Sequence, residues 1–308
     1  MKIKALTVLS TAFITSGLLS VHAQNLNGTV DTGFYGSPLA VQTINTGFGN
    51  AGGNDSGGGS ELDAAYGAIS GGSLYLFLAG SLESNGNHFN IFIDGGAAGG
   101  QNVLSPTGGN MTVMNGSIFS PGFNATFAVD MNVYSTNEGV APGTLYTEEY
   151  NLIAHTGGYV GALAESSLGI AAGSSGGVSS LYLNNNHVST MGTAGDALSG
   201  ATSGTATTTG LELVIPLSDI GYAGGNIEVL ADINGGNDGY LSNQFLTGLQ
   251  VGTPNLGGGT PPYSMGGATF NFGATPGEFF TVAVPEPSTL ALLGLSGLAT
   301  LIRFRRKN

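Results

Sequence analysis

Asp232, Asn234 and Asp238 set side-chain oxygens at alternating positions of the run Asp232-Ile233-Asn234-Gly235-Gly236-Asn237-Asp238-Gly239, the pattern with which a loop surrounds a hard cation such as calcium. The run departs from the EF-hand pattern at its sixth position, Asn237, and at its twelfth, Asn243, where a bidentate Glu is expected. The same composition also makes a polar turn, because Asn, Asp and Gly tolerate left-handed backbone. These three residues are the weak metal candidates, and calcium is the one cofactor they would suit. Catalytic signals are absent. His88, His155 and His187 stand apart, with no His-Glu-x-x-His, no nucleophile elbow and no cysteine, and each is expected at the surface or in a turn. A glycosidase needs two carboxylates about 5 to 9.5 Å apart, and spacing alone sorts no such pair here. The expectation is a protein without catalytic residues. For sugar stacking the chain offers 11 tyrosines and no tryptophan; Tyr35, Tyr66, Tyr159 and Tyr240 are candidates on equal terms with the rest.

Charge placement narrows the partners. Lys2 and Lys4 lie at one end, Arg303, Arg305, Arg306 and Lys307 at the other, and no other Lys or Arg occurs. All of the 19 carboxylates except Glu286 fall between Asp31 and Glu278. A body with that field repels phosphate, so nucleic acid is excluded as a partner. Anionic polymers would approach it only with divalent cations between. Asn-x-Ser/Thr sequons at Asn27, Asn54, Asn110, Asn115 and Asn124 would mean glycosylation in a eukaryotic secreted protein and would be by-products of this composition in a bacterium.

The elements that must carry these residues read as strands. Leu74-Tyr75-Leu76-Phe77-Leu78-Ala79-Gly80 is apolar on both faces and belongs in the middle of a covered sheet. Asn85-Gly86 and then Phe89-Asn90-Ile91-Phe92-Ile93-Asp94 follow, which predicts a β-hairpin. Residues 123–130 and 227–233 alternate as half-buried strands would, and 211–217 does so up to Pro216, which places that run at an edge or a strand end. Phe270, Phe272, Phe279 and Phe280 suggest closing strands. The glycine-rich runs 50–59 and 169–177 read as loops, Ser60-Glu61-Leu62-Asp63 as the cap of a short turn, and no long amphipathic helix occurs between the two ends. The fold class is all-β: a single β-sandwich, jelly-roll-like, over residues 24–283.

The ends carry a delivery route. Residues 1–23 have a basic start, an apolar stretch and Val21-His22-Ala23, the small-x-small signal for cleavage between Ala23 and Gln24. They form a signal peptide read by the secretion translocon. At the other end Val284, Pro285, Glu286 and Pro287 precede an apolar run, 288–302, and the basic tail Arg303, Arg305, Arg306 and Lys307. As a helix that run spans about 22 Å, short against a hydrocarbon core of about 30 Å. Its basic tail should face the cytoplasm and the acidic body the outside.

In the order of its parts, 284–308 resembles the PEP-CTERM sorting signal of Gram-negative bacteria, in which a Pro-Glu-Pro motif, a short transmembrane helix and an Arg-rich end are processed by an exosortase. The resemblance implies an inner-membrane-anchored precursor, then a protein at the cell surface or in extracellular matrix among exopolysaccharide. Residues 61–66, 74–80, 91–94, 215–221 and 241–246 are similar to segments of secreted bacterial proteins with the same ending, and parts resemble DOMON-like and family-9 carbohydrate-binding sandwiches. The expected function is a structural surface protein. The alternatives are a carbohydrate-binding module, with calcium if the Asp232 loop binds it, and a polysaccharide hydrolase.

Overall fold

Alternate residues of one strand enter two different cores. Leu74, Leu76 and Leu78 join one apolar cluster, Phe77 and Ala79 another, as the period of two in extended chain requires. This strand, β3 (Ser73–Ser81), is hydrogen-bonded on both sides, so the central position expected for it holds. The computed structural model describes residues 24–42, 44, 60–134, 143–164, 177–183, 207–247, 249–250, 253–257, 270–274 and 277–284. Its strands form two antiparallel sheets. The five-stranded sheet runs β1 (Ala40–Val41), β2 (Glu61–Ser70), β3, β9 (Gly210–Pro216), β8 (Ser180–Leu183). The seven-stranded sheet runs β11 (Leu241–Leu246), β10 (Ile227–Asn234), β4 (Asn85–Asp94), β5 (Phe127–Tyr134), β6 (Thr144–Asn151), β7 (Thr156–Ala164). A short strand, β12 (Phe280–Val282), also pairs with β10. The only α-helix among the described residues is α1 (Thr32–Tyr35), started by Asp31, whose carboxylate accepts from the Gly33 and Phe34 amides.

The sheets share a core. Leu62, Leu76, Leu213 and Ile215 from the first meet Phe89, Ile91, Val129 and Val229 from the second. Outside the five-stranded sheet, α1 lays Phe34 and Tyr35 over Tyr66 and Phe77. Outside the seven-stranded sheet, a larger cluster of Phe92, Phe119, Phe123, Phe245, Phe270 and Phe272 sits under the loops; Phe119 and Phe272 stack with ring centroids 5.2 Å apart. Both faces of β10 are therefore covered, not one as its alternation suggests.

Three local expectations change. The predicted hairpin does not form: β3 and β4 lie in different sheets, and residues 82–84 cross between them. Asn85-Gly86 sits within β4, at the register shift between β4 and β5, where Gly86 takes φ 87°. A strand buried on both faces needs partners on both edges, and β3 takes β2 and β9. Glu61, Leu62 and Asp63 cap no turn but open β2, and all three are buried. Of the four phenylalanines expected to close the fold, Phe280 begins β12, while Phe270, Phe272 and Phe279 fill the outer cluster from loops and a 3-10 turn. Pro216 does end β9, where its missing N–H costs least. The glycine-rich run 50–59 and all of 169–177 but Gly177 lie outside the described residues.

Candidate functional site

Register carries a polar row across the outer face of the seven-stranded sheet. Asp232 of β10 pairs with Asn90 of β4, Asn90 with Asp130 of β5, and Asp130 with Glu148 of β6. One step along, Asn234 pairs with His88, His88 with Asn132, and Asn132 with Tyr146. One step the other way the row is apolar, with Leu230, Phe92, Ala128 and Tyr150 as successive partners. The outer face thus changes from aromatic packing to polar groups within two residues along each strand.

The inner part of this patch is closed to solvent. Asn90, Asp232 and Asp238 are 0 % exposed, Asp130 1 % and His88 2 %. The 3-10 turn Gly236–Asp238 folds over the sheet and contributes Asp238, whose backbone takes φ 53°. His88 Nδ1 lies 2.7 Å from Asp130 Oδ1 and 3.7 Å from Asp238 Oδ1. Asn90 Nδ2 donates to Asp238 Oδ1 at 3.0 Å and to Asp130 Oδ1 at 3.4 Å. Burial opposes charge on the His88 imidazole, but Asp238 and Asp130 outweigh it and lift its pKa to about 9. Burial and the Asp130 charge raise Asp238 to about 7 against the lowering effect of His88. Asp232 is pushed well above the usual carboxylate range by burial, then by Asp238 and Asp130.

The outer part is open. Tyr134, Tyr146 and Tyr159 are 49, 38 and 62 % exposed, and with Asn110, Asn132 and Glu148 they line a groove of about 340 Å³. Glu148 lines the groove and is the cross-strand partner of buried Asp130; its Oε2 accepts from the Asn110 amide at 2.8 Å and from the Tyr150 hydroxyl. Three aromatic faces beside amides and a carboxylate can stack on a flat apolar ligand face and hydrogen-bond its polar rim.

Several residues singled out from sequence land elsewhere. His88 is no surface or turn histidine but a buried strand residue among carboxylates. His155 is an exposed turn residue with φ 53°, and His187 lies outside the described residues. Asp232 and Asp238 come together; Asn234 instead braces the turn, its Oδ1 accepting from Gly235 and Tyr240 amides at 3.0 and 2.9 Å. Tyr35 and Tyr66 are core residues and Tyr240 is half-buried, so Tyr159 alone of the four tyrosines reaches the groove. Asn90, Asp130, Tyr134, Tyr146 and Glu148 were not singled out. Their signal is polar or tyrosyl residues at every second position, set among apolar residues in β4 and β5 and within the largely polar β6.

Gln24, the expected first residue after cleavage, is docked on β9 through a hydrogen bond from its amide to Glu212; Ala23 lies outside the described residues. Val284 stands two residues beyond β12. Pro285, Glu286, Pro287, the apolar run and Arg303, Arg305, Arg306 and Lys307 lie outside the described residues, among which no helix is long and apolar enough to cross a membrane. No curated protein and no solved structure matches the chain. Residues 283–307 match the family model of the PEP-CTERM protein-sorting motif, so the chain carries the signal of an exosortase substrate, which implies an exported precursor anchored in the membrane.

Proposed function

We propose that the protein is a non-enzymatic component of the cell surface or extracellular matrix, released from its membrane-anchored precursor by exosortase and held among exopolysaccharide through the tyrosine groove. The observation that carries the polysaccharide contact is that groove: Tyr134, Tyr146 and Tyr159 present exposed rings on three adjacent strands, flanked by Asn110, Asn132 and Glu148. A rigid sheet holds the rings in place, so a chain of sugars would lose little to ordering the protein. The position of Val284 supports processing without damage, since a cut near the motif leaves β12 and its pairing to β10 whole. Hydrolysis would draw on Glu148 and its cross-strand partner Asp130, but Asp130 is buried, which favours binding over cleavage.

Affinity electrophoresis of the full-length chain through gels containing the host's exopolysaccharide tests this reading. Retardation should be saturable, and Tyr159→Ala should weaken it roughly tenfold, about 1.4 kcal/mol, with the fold unchanged by circular dichroism. Equal mobility with and without polymer would defeat the groove assignment. Release of reducing ends that Glu148→Gln abolishes would replace binding with hydrolysis.

A further inference from the structure

The packing around Asp232 does not account for it. It is 0 % exposed, and neither carboxylate oxygen has a hydrogen-bond partner. A buried ionised carboxylate left that way costs several kcal/mol, so Asp232 is stable as an anion only where a positive or donating group completes its surroundings. Two more oxygens beside it share the condition: Asn90 Oδ1 and Asp238 Oδ2 are buried without partners. His88, Asp130 and Asp238 offer ligand atoms lying within 4.8 Å of one another, and Asp232 adjoins that trio through its cross-strand partner Asn90, which donates to both Asp130 and Asp238. Oxygens coordinated to a common ion at about 2.3 to 2.6 Å are at most about 5 Å apart, so this spacing suits one ion. No Lys or Arg exists in the body to answer these charges.

We propose that this pocket is a divalent-cation site, with Asp130, Asp232 and Asp238 as carboxylate ligands from β5, β10 and the 236–238 turn, and Asn90 and His88 of β4 completing the set. An oxygen-rich set with a single imidazole suits Ca2+ or Mn2+ rather than a thiolate-seeking metal. Turning over the Asn90 amide exchanges the Nδ2 that now donates to Asp130 and Asp238 for the free Oδ1, supplying one more oxygen. The ion would tie the turn to three strands, and its ligand Asp130 is the cross-strand partner of Glu148 in the groove. The site differs from the loop read in the sequence: Asn234 is not in it, and four ligands come from strands far apart in the chain. It stands whether or not the groove binds polysaccharide.

The test is a titration of the full-length chain in detergent, freed of metal by chelator dialysis, with Ca2+ and Mn2+ separately, following heat of binding and thermal midpoint. One equivalent should bind, and the midpoint should climb with cation concentration. Asp232→Asn, which keeps shape and removes charge, should weaken binding on the order of tenfold or more. In chelator the same variant should be at least as stable as the parent, and the order should reverse once the cation saturates the parent's site, a crossover that an aspartate outside a metal site would not give. Selectivity for Mn2+ lost in His88→Gln supports the site with imidazole as ligand; Ca2+ binding indifferent to that change supports it with imidazole outside. Absence of saturable binding by either ion overturns the proposal. So does binding that Asp232→Asn and Asp238→Asn leave intact, and the parent chain decides alone if a variant fails to fold.

Discussion

Glu149 and Glu148 are adjacent in β6 and face opposite ways. Glu148 borders the groove, while Glu149 turns inward and accepts from the Val178 amide at 3.0 Å. Burial raises the Glu149 pKa to about 7 despite that hydrogen bond, and Asp219 adds to the rise. A carboxyl group that holds its proton more tightly when folded stabilises the fold fully below its unfolded pKa, and that contribution is lost as pH climbs through the folded value. The window is therefore about pH 4.5 to 7. Glu149→Gln should match the parent near pH 4 and exceed it at pH 8 in urea midpoint; parallel midpoints across that range would contradict the assignment. Glu212 plays the opposite part, gathering Asn27 and Gly28 amides at 3.1 and 3.2 Å, the Tyr35 hydroxyl at 2.9 Å and the Gln24 amide. Glu212→Ala would orphan buried donors, at about 1 to 3 kcal/mol for the first of them, and should free residues 24–30 to limited proteolysis at a temperature where the parent resists.

Among the elements, β2 and β3 depend on a glycine. Gly80 adopts φ 150°, and a Cβ there would be driven into the Glu61 carbonyl oxygen, at the register shift between Leu62 and Ala64. Backbone cannot yield as a flexible side chain can, so Gly80→Ala should cost about 2 kcal/mol or more in urea unfolding. Gly36→Ala meets no atom within 4 Å and pays only for its φ of 76°, so it should cost less. Alternation was enough to find β9 and β10, and apolar runs bounded by turn residues were enough to find β3 and β4. Neither could say which strand pairs with which. A run apolar on both faces and a polar connection suit a hairpin or a crossing between sheets equally, and here the far partner β9 decides. The inner site was legible only as its Asp232 and Asp238 corner. His88, Asn90 and Asp130 reach it through the β4–β10 and β4–β5 registers, which no local spacing records. The groove stayed hidden for the same reason: Tyr134, Tyr146 and Tyr159 belong to three strands.

For the whole molecule, charge and processing make the simplest check. Trypsin should find no site between Lys4 and Arg303, folded or unfolded, and intact mass from the native host should show loss of the segment beyond the motif. Retention of Arg303 to Asn308 would mean an anchor that is never cut. The fold also bears on how such a chain travels. β10 holds β4, β11 and β12 together, and the β4–β10 pairing joins residues 85–94 to 227–234. Contacts so distant along the chain carry a large loop-closure cost before they repay it, which puts folding in the slow, millisecond-to-second class. The seven-stranded sheet cannot close until nearly all of the body has emerged. A chain passing through a pore from its N-terminus would thus remain threadable for most of the journey without a holdase to keep it so, and acquire its shape only on the far side.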